Sequence, residues 1–153
     1  MNSKTTTFKK AIDIYKKVIT VSPKHYYAHL WSGTAYYAIN QTDEAIVCYK
    51  NAIKINAKGF DAYLNYSQLE MKANRYQSSL ELLNKAIQFS PFKPESHSSL
   101  YNKKGLLEYY LYNYADALDS FNKSLELVPE NFDAINGKAI AAEGLLSTNN
   151  IVN

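Results

Sequence analysis

Two histidines, His25 and His29, stand four residues apart in a chain of 153 residues. On a helix that spacing puts both imidazoles on one face, where they can serve as two ligands of a metal ion. No third or fourth ligand lies near them in the sequence, so they read as surface or packing histidines and no metal is expected. Cys48, the single cysteine, has no basic side chain close in sequence and reads as packing. There is no glycine-rich phosphate loop, no zincin motif and no serine-hydrolase motif. No catalytic residue and no cofactor is expected, and the chain does not read as an enzyme.

The remaining side chains of interest suit recognition. Trp31 is the only tryptophan. It is either core, packed on a preceding helix, or an aromatic anchor for a ligand, because such rings bury a large area at little entropic cost. Asn65 and Gln68 lie one helical turn apart. They either hold a peptide backbone through their amides or form a solvated polar face.

Composition narrows the classes. Hydrophobic residues make up 46% of the chain and charged residues 20%, the balance of a globular protein with one core. The net charge of +3 comes from 17 scattered basic residues, paired only in short runs such as Lys9-Lys10 and Lys103-Lys104. Nucleic-acid binders concentrate charge on one face, so no nucleic acid is expected. One cysteine excludes an internal disulfide and fits a reducing compartment. The opening "MNSKTTTFKK" has no apolar core of a signal peptide. No apolar run reaches the roughly 18 residues of a membrane span. A cytoplasmic location without membrane insertion is expected.

The elements that position these residues repeat. Ala11, Ala45 and Ser79 follow one another at 34 residues, as do Tyr15, Tyr49 and Leu83, and Val18, Ala52 and Ala86. Gly33 and Ser67 share the spacing, and Pro23 and Pro91 are 68 apart. Once, the step becomes 38: Ser67 to Gly105, Ser79 to Ala117, Leu83 to Phe121, Pro91 to Pro129. All four markers shift together, which places a four-residue insertion between Pro91 and Gly105. Each unit shows helical apolar spacing, a break at or near Asn40, Asn74 or Asn113, then a second helical run. No segment alternates with period two, so strands are not expected. Two antiparallel helices that cross closely need small residues at the crossing, here Gly33 and Ala45, with Tyr36 and Tyr49 filling the space beside them. Proline then stops the second helix.

This period, with its small, aromatic and proline slots, resembles the tetratricopeptide repeat (TPR) family over about residues 8 to 147. Departures exist. The family's tryptophan slot holds His29, Tyr63, Tyr101 and Ile135, and the slot of Tyr36 becomes Glu70 and Glu108. The resemblance implies an all-α fold, a right-handed superhelix of antiparallel helix pairs. Residues 5–21 are expected as a lone second helix, 26–59 and 60–93 as repeats, and 94–131 as a repeat with the insertion. Residues 132–147 are expected as a terminal helix and 148–153 as a frayed tail. The insertion "FKPESH" either starts the next helix a turn early, with Pro94 at its first position, or forms a loop. Gly137 and Gly144 either admit close backbone approach or mark a poorly formed last helix. The array starts and stops in mid-repeat, so its lone end helices are either caps or the cut ends of a longer superhelix, and a fragment is the favoured expectation.

The resemblance further implies a concave groove, lined by first helices, that binds a partner peptide or helix. By the family pattern its lining is Tyr27, Leu30, Trp31, Thr34 and Tyr37, then Asp61, Leu64, Asn65, Gln68 and Met71, then Asn102, Lys103, Leu106, Tyr109 and Tyr110. The last helix adds Asp133, Asn136, Gly137 and Ile140. Some family members clamp acidic chaperone tails with lysine, asparagine and arginine at fixed slots. Here Leu30, Thr34 and Ser99 stand at three of them, with only Asn65 and Lys103 near the pattern, which argues against that clamp. The expected function is an interaction scaffold within a multiprotein assembly. The alternatives are a targeting or regulatory domain of a larger enzyme, and a weak homodimer through the terminal helices.

Overall fold

The structure is a computed structural model that describes residues 3–151, with side-chain surroundings given for residues 3–148. The described residues form eight α-helices and no strand: α1 Ser3–Val21, α2 Tyr26–Ala38, α3 Thr42–Ile55, α4 Phe60–Lys72, α5 Tyr76–Phe89, α6 Pro94–Tyr110, α7 Tyr114–Leu127 and α8 Phe132–Ile151. Each helix packs on the next, and α2 also touches α4 as α6 touches α8. The result is an all-α solenoid of helix pairs.

The turns inside the pairs share one geometry. After α2, α4 and α6 the chain passes through a left-handed residue, Asn40 (φ 62°), Asn74 (φ 57°) and Tyr112 (φ 63°). That residue and the next return their N–H groups to the helix end. Asn40 and Gln41 donate to Tyr37 and Tyr36, Asn74 and Arg75 to Met71 and Glu70, and Tyr112 and Asn113 to Tyr109 and Glu108. These bonds satisfy carbonyls that a helix end would otherwise leave unpaired. The following helix then starts at once, which folds it back along the first. Between pairs, proline acts: α1, α5 and α7 end two residues before Pro23, Pro91 and Pro129.

Small residues mark the crossings. A Cβ on Gly33 would stand 2.6 Å from the Tyr49 ring, and one on Gly105 would stand 2.8 Å from the Phe121 ring. In the middle pair the crossing is Ser67 on Ser79, each hydroxyl donating to the other's carbonyl at 2.9 and 2.8 Å. Phe121 also lies under Gly137, whose Cβ would overlap the ring, and Gly144 covers the Tyr114 ring. The last helix is therefore well formed, and its glycines serve close approach. Gly137 is buried against α7, which corrects its expected place in the groove.

One boundary differs from expectation, and one open alternative resolves. The helix expected to stop at 147 runs on to Ile151, so 148–151 is not a frayed tail; residues 152 and 153 lie outside the described residues. Ser147 and Thr148 donate their hydroxyls to the carbonyls of Glu143 and Leu145 at 2.9 and 2.8 Å, so they bond back into the helix instead of ending it. The insertion lengthens a helix: α6 has 17 residues where α2 and α4 have 13, with Pro94 at its start.

Candidate protein-interaction surface

The first helices α2, α4, α6 and α8 carry nearly all the side chains picked out from the sequence. On α2, Tyr27 is 54% exposed and Trp31 45% exposed. Trp31 thus keeps nearly half its surface in solvent. Leu30 does not belong with them. It is fully buried in a cluster with Ala45, Tyr49, Ala52, Ala62 and Leu69, because at about 100° per residue it points from α2 into the core while Trp31 points out. Thr34 and Asn65 meet across the α2–α4 contact, Asn65 Nδ2 donating to Thr34 Oγ1 at 3.4 Å. The Tyr37 ring lies 4.9 Å from Lys72 Nζ, while its hydroxyl is buried without a partner.

On α4, Gln68 is exposed, and Leu64 and Met71 are half-buried against a cluster of Leu83, Leu100 and Leu107. Asp61 is half-buried, and burial pushes its carboxyl above the usual range. On α6, Asn102, Lys103, Leu106 and Tyr109 are half-buried. Tyr110 is more exposed and stacks on Tyr76 at 4.8 Å between ring centres. Asp133, Asn136 and Ile140 are exposed on α8.

Between α4 and α6 lie two neighbouring cavities. One, of about 470 Å³, is walled by Phe60, Leu64, Pro91 and Leu100, with Lys93, Glu95, Ser99 and Lys103 also lining it. The other, of about 220 Å³, is lined by Leu64, Gln68, Met71, Lys72 and Lys103, with Leu107 and Leu83 at its base. Leu64 and Lys103 line both. Leu64 and Met71 of α4 pack against the cluster that holds Leu100 and Leu107 of α6 beside these cavities. A third cavity, of about 420 Å³, lies where Tyr109, Tyr114, Ile140 and Gly144 meet. The sequence pattern brings Leu64, Gln68, Met71 and Lys103 together but not Phe60 and Leu100, and it marks Ser99 only as a clamp position. The only signal for Leu100 was the insertion just before it, and Phe60 had none.

The reactive side chains have structural partners. His25 Nδ1 caps α2 by accepting from Ala28 N at 3.0 Å, and His29 Nε2 lies 2.9 Å from Pro23 O. Burial pushes the Cys48 thiol up to about 11, so it stays protonated at neutral pH and is a poor nucleophile. Glu70 and Glu108, in the slot of Tyr36, are both buried, which the sequence did not show. Glu70 is held by Arg75. Glu108 accepts from Ser120 Oγ at 2.6 Å and lies 3.6 Å from Lys104 Nζ.

Known proteins share this architecture. A TPR repeat model matches residues 33–66, and a tetratricopeptide repeat model matches residues 60–93. The crystal structure of MamA superposes with a TM-score of 0.80 at 22% identity, covering 94% of this chain and 85% of that one. The chain is a tetratricopeptide repeat protein. The first TPR of Spaghetti (RPAP3), solved bound to an HSP90 peptide, superposes with a TM-score of 0.69 at 21% identity, over 79% of this chain and 93% of that one. Hsp70-Hsp90 organizing protein 3 of Arabidopsis thaliana is 25% identical over 105 residues, which is 69% of this chain. The TPR chain spans only 18% of the length of that relative. No helix among the described residues of this TPR array is long and apolar enough to cross a membrane.

Proposed function

We propose that this TPR array is a non-catalytic scaffold that holds an extended or helical segment of a partner protein along α2, α4, α6 and α8, within a multiprotein assembly. The observation that carries the reading is the pair of neighbouring cavities joined by Leu64 and Lys103, side chains of the first helices of successive repeats. Exposed Tyr27 and Trp31 extend the same row of helices and suit the role of aromatic anchors. The solved relative bound to an HSP90 peptide supports a peptide as the kind of ligand. An HSP90-type clamp is not part of the proposal, since Leu30, at one clamp position, is buried in the core. The proposal includes a cytoplasmic setting, supported by the lone cysteine.

The test starts with a photo-crosslinking residue at exposed Gln68, used to identify a partner. The partner is then titrated by calorimetry. Trp31→Ala should cost on the order of 2 kcal/mol, about thirtyfold in affinity. Glu81→Ala, an exposed change on the second helix α5, should cost almost nothing. The opposite pattern would remove the proposal.

A second reading rests on α8, where Phe132 is 77%, Ile135 44% and Leu146 64% exposed. We propose weak self-association through this face. Sedimentation showing a strict monomer at high concentration would exclude it.

A further inference from the structure

We infer that the cavity built by the four-residue insertion is a side-chain subsite, and that its occupant is a partner segment presenting a large apolar side chain beside a carboxylate. The inference deepens the proposed function and rests on it for the claim that α4 and α6 carry the partner.

The walls set the first half of that chemistry. Phe60, Leu64, Pro91 and Leu100 make an apolar enclosure of about 470 Å³, within the roughly 300–1,000 Å³ of ordinary ligand clefts. A leucine or aromatic side chain entering it leaves water on several faces at once, which is the main source of binding free energy here.

His97 ties the insertion to its flanking residues. His97 is 7% exposed, and its ring nitrogens lie 3.3 Å from Ser90 Oγ and 3.3 Å from the Lys93 backbone. The Phe92 ring lies against His97, 4.9 Å between centres. The segment is thus tied to the helix that follows it, and a site fixed in advance loses less conformational entropy on binding.

Charge sets the second half. Lys93 and Lys103 line this cavity against one carboxylate, Glu95, and the adjoining cavity is lined by Lys72 and Lys103 with no carboxylate. Lys103 stands at the junction and has no anionic partner among the described residues. A carboxylate next to the inserted side chain would pair with it in a partly desolvated place, where such a pair is stronger than in open water.

The test selects randomised twelve-residue segments, displayed on phage, against the full chain. Enriched segments are then synthesised and titrated by fluorescence anisotropy. They should carry a leucine or aromatic residue next to Asp or Glu. Ser99→Trp, which fills the mouth from an exposed α6 position, and Lys103→Glu should each weaken binding by about tenfold or more. Should Ser99→Trp lower the melting temperature, Ser96→Trp, also exposed and lining the cavity, replaces it. Segments that lose affinity with Gln68→Arg but ignore Ser99→Trp overturn the subsite and leave the groove reading standing. Segments that ignore all of these variants overturn both. Enriched segments without an acidic residue, or no enriched segment, also overturn the inference. So does loss of a dimer on Ser99→Trp, which would make the occupant a second copy of the chain.

Discussion

The Arg75 guanidinium grips the buried Glu70 carboxylate with two bonds, Nε and Nη2 each donating at 2.7 Å to a different oxygen. Arg75 is the only arginine in the chain, and its planar fork matches both oxygens in a way lysine cannot. The bonds from Arg75 hold the Glu70 carboxyl below its ordinary value of 4.5. A lowered carboxylate contributes stability that is present above the unfolded value and lost as pH falls through the folded one. Arg75→Ala should therefore lower the melting temperature at pH 7, and the difference from the wild type should shrink as pH falls below about 4.5. A difference that does not vary with pH would show that the pair is not its source.

Glu108, 38 residues on in the same slot, behaves oppositely. Burial pushes its carboxyl above 4.5, against the opposing pull of Ser120 and Lys104. A raised carboxyl contributes stability that is present below the unfolded value and lost as pH rises through the folded one. Glu108→Gln keeps an acceptor for Ser120 and removes the buried charge. It should leave acid stability unchanged and raise stability at pH 7 by roughly 1 kcal/mol, measured as urea midpoints across pH. A loss at pH 7 would mean that Lys104 outweighs burial.

The crossings give a packing prediction. Ala45 is fully buried, and Gly105 faces the Phe121 ring at a distance with no room for a side chain. Ala45→Leu and Gly105→Leu should each destabilise by roughly 1–3 kcal/mol. Phe121→Ala should cost about 3–5 kcal/mol, because the ring fills space against both α6 and α8. Unchanged thermal melts for the two leucine variants would show that these crossings tolerate bulk.

Much of this was legible because it depends on residue size and backbone. Gly33 on Tyr49 and Gly105 on Phe121 obey a rule that any close helix crossing imposes, so the spacing alone exposed them. What failed depends on orientation and on partners distant in sequence. Leu30 and Trp31 are neighbours, and the difference between core and surface is one step of about 100° around α2, finer than a family pattern resolves. Glu108 reads as a lapse in an aromatic slot until Ser120, twelve residues on, is seen to meet it. The cavity at Leu64 and Lys103 depends on how α4 and α6 are set against each other, which no spacing encodes. The insertion was visible, but the wall it makes with Phe60 was not.

Tyr112 offers the most direct gain in stability. It occupies the left-handed turn position that Asn40 and Asn74 hold in the earlier pairs. Asparagine tolerates that conformation, whereas the Cβ of a residue such as tyrosine crowds the following carbonyl, at about 1–2 kcal/mol. The ring returns little, being 77% exposed, with one edge contact to Tyr114 at 6.3 Å. The backbone bonds of the turn, from Tyr112 and Asn113 to Tyr109 and Glu108, need no side chain at 112. Tyr112→Gly should relieve the crowding and keep those bonds, although glycine loses more entropy on folding. A net gain of about 0.5–1 kcal/mol follows, and Tyr112→Asn should give a similar, smaller gain. Both are read as urea midpoints at constant slope. If both variants are less stable than the wild type, the ring contact with Tyr114 outweighs the backbone crowding.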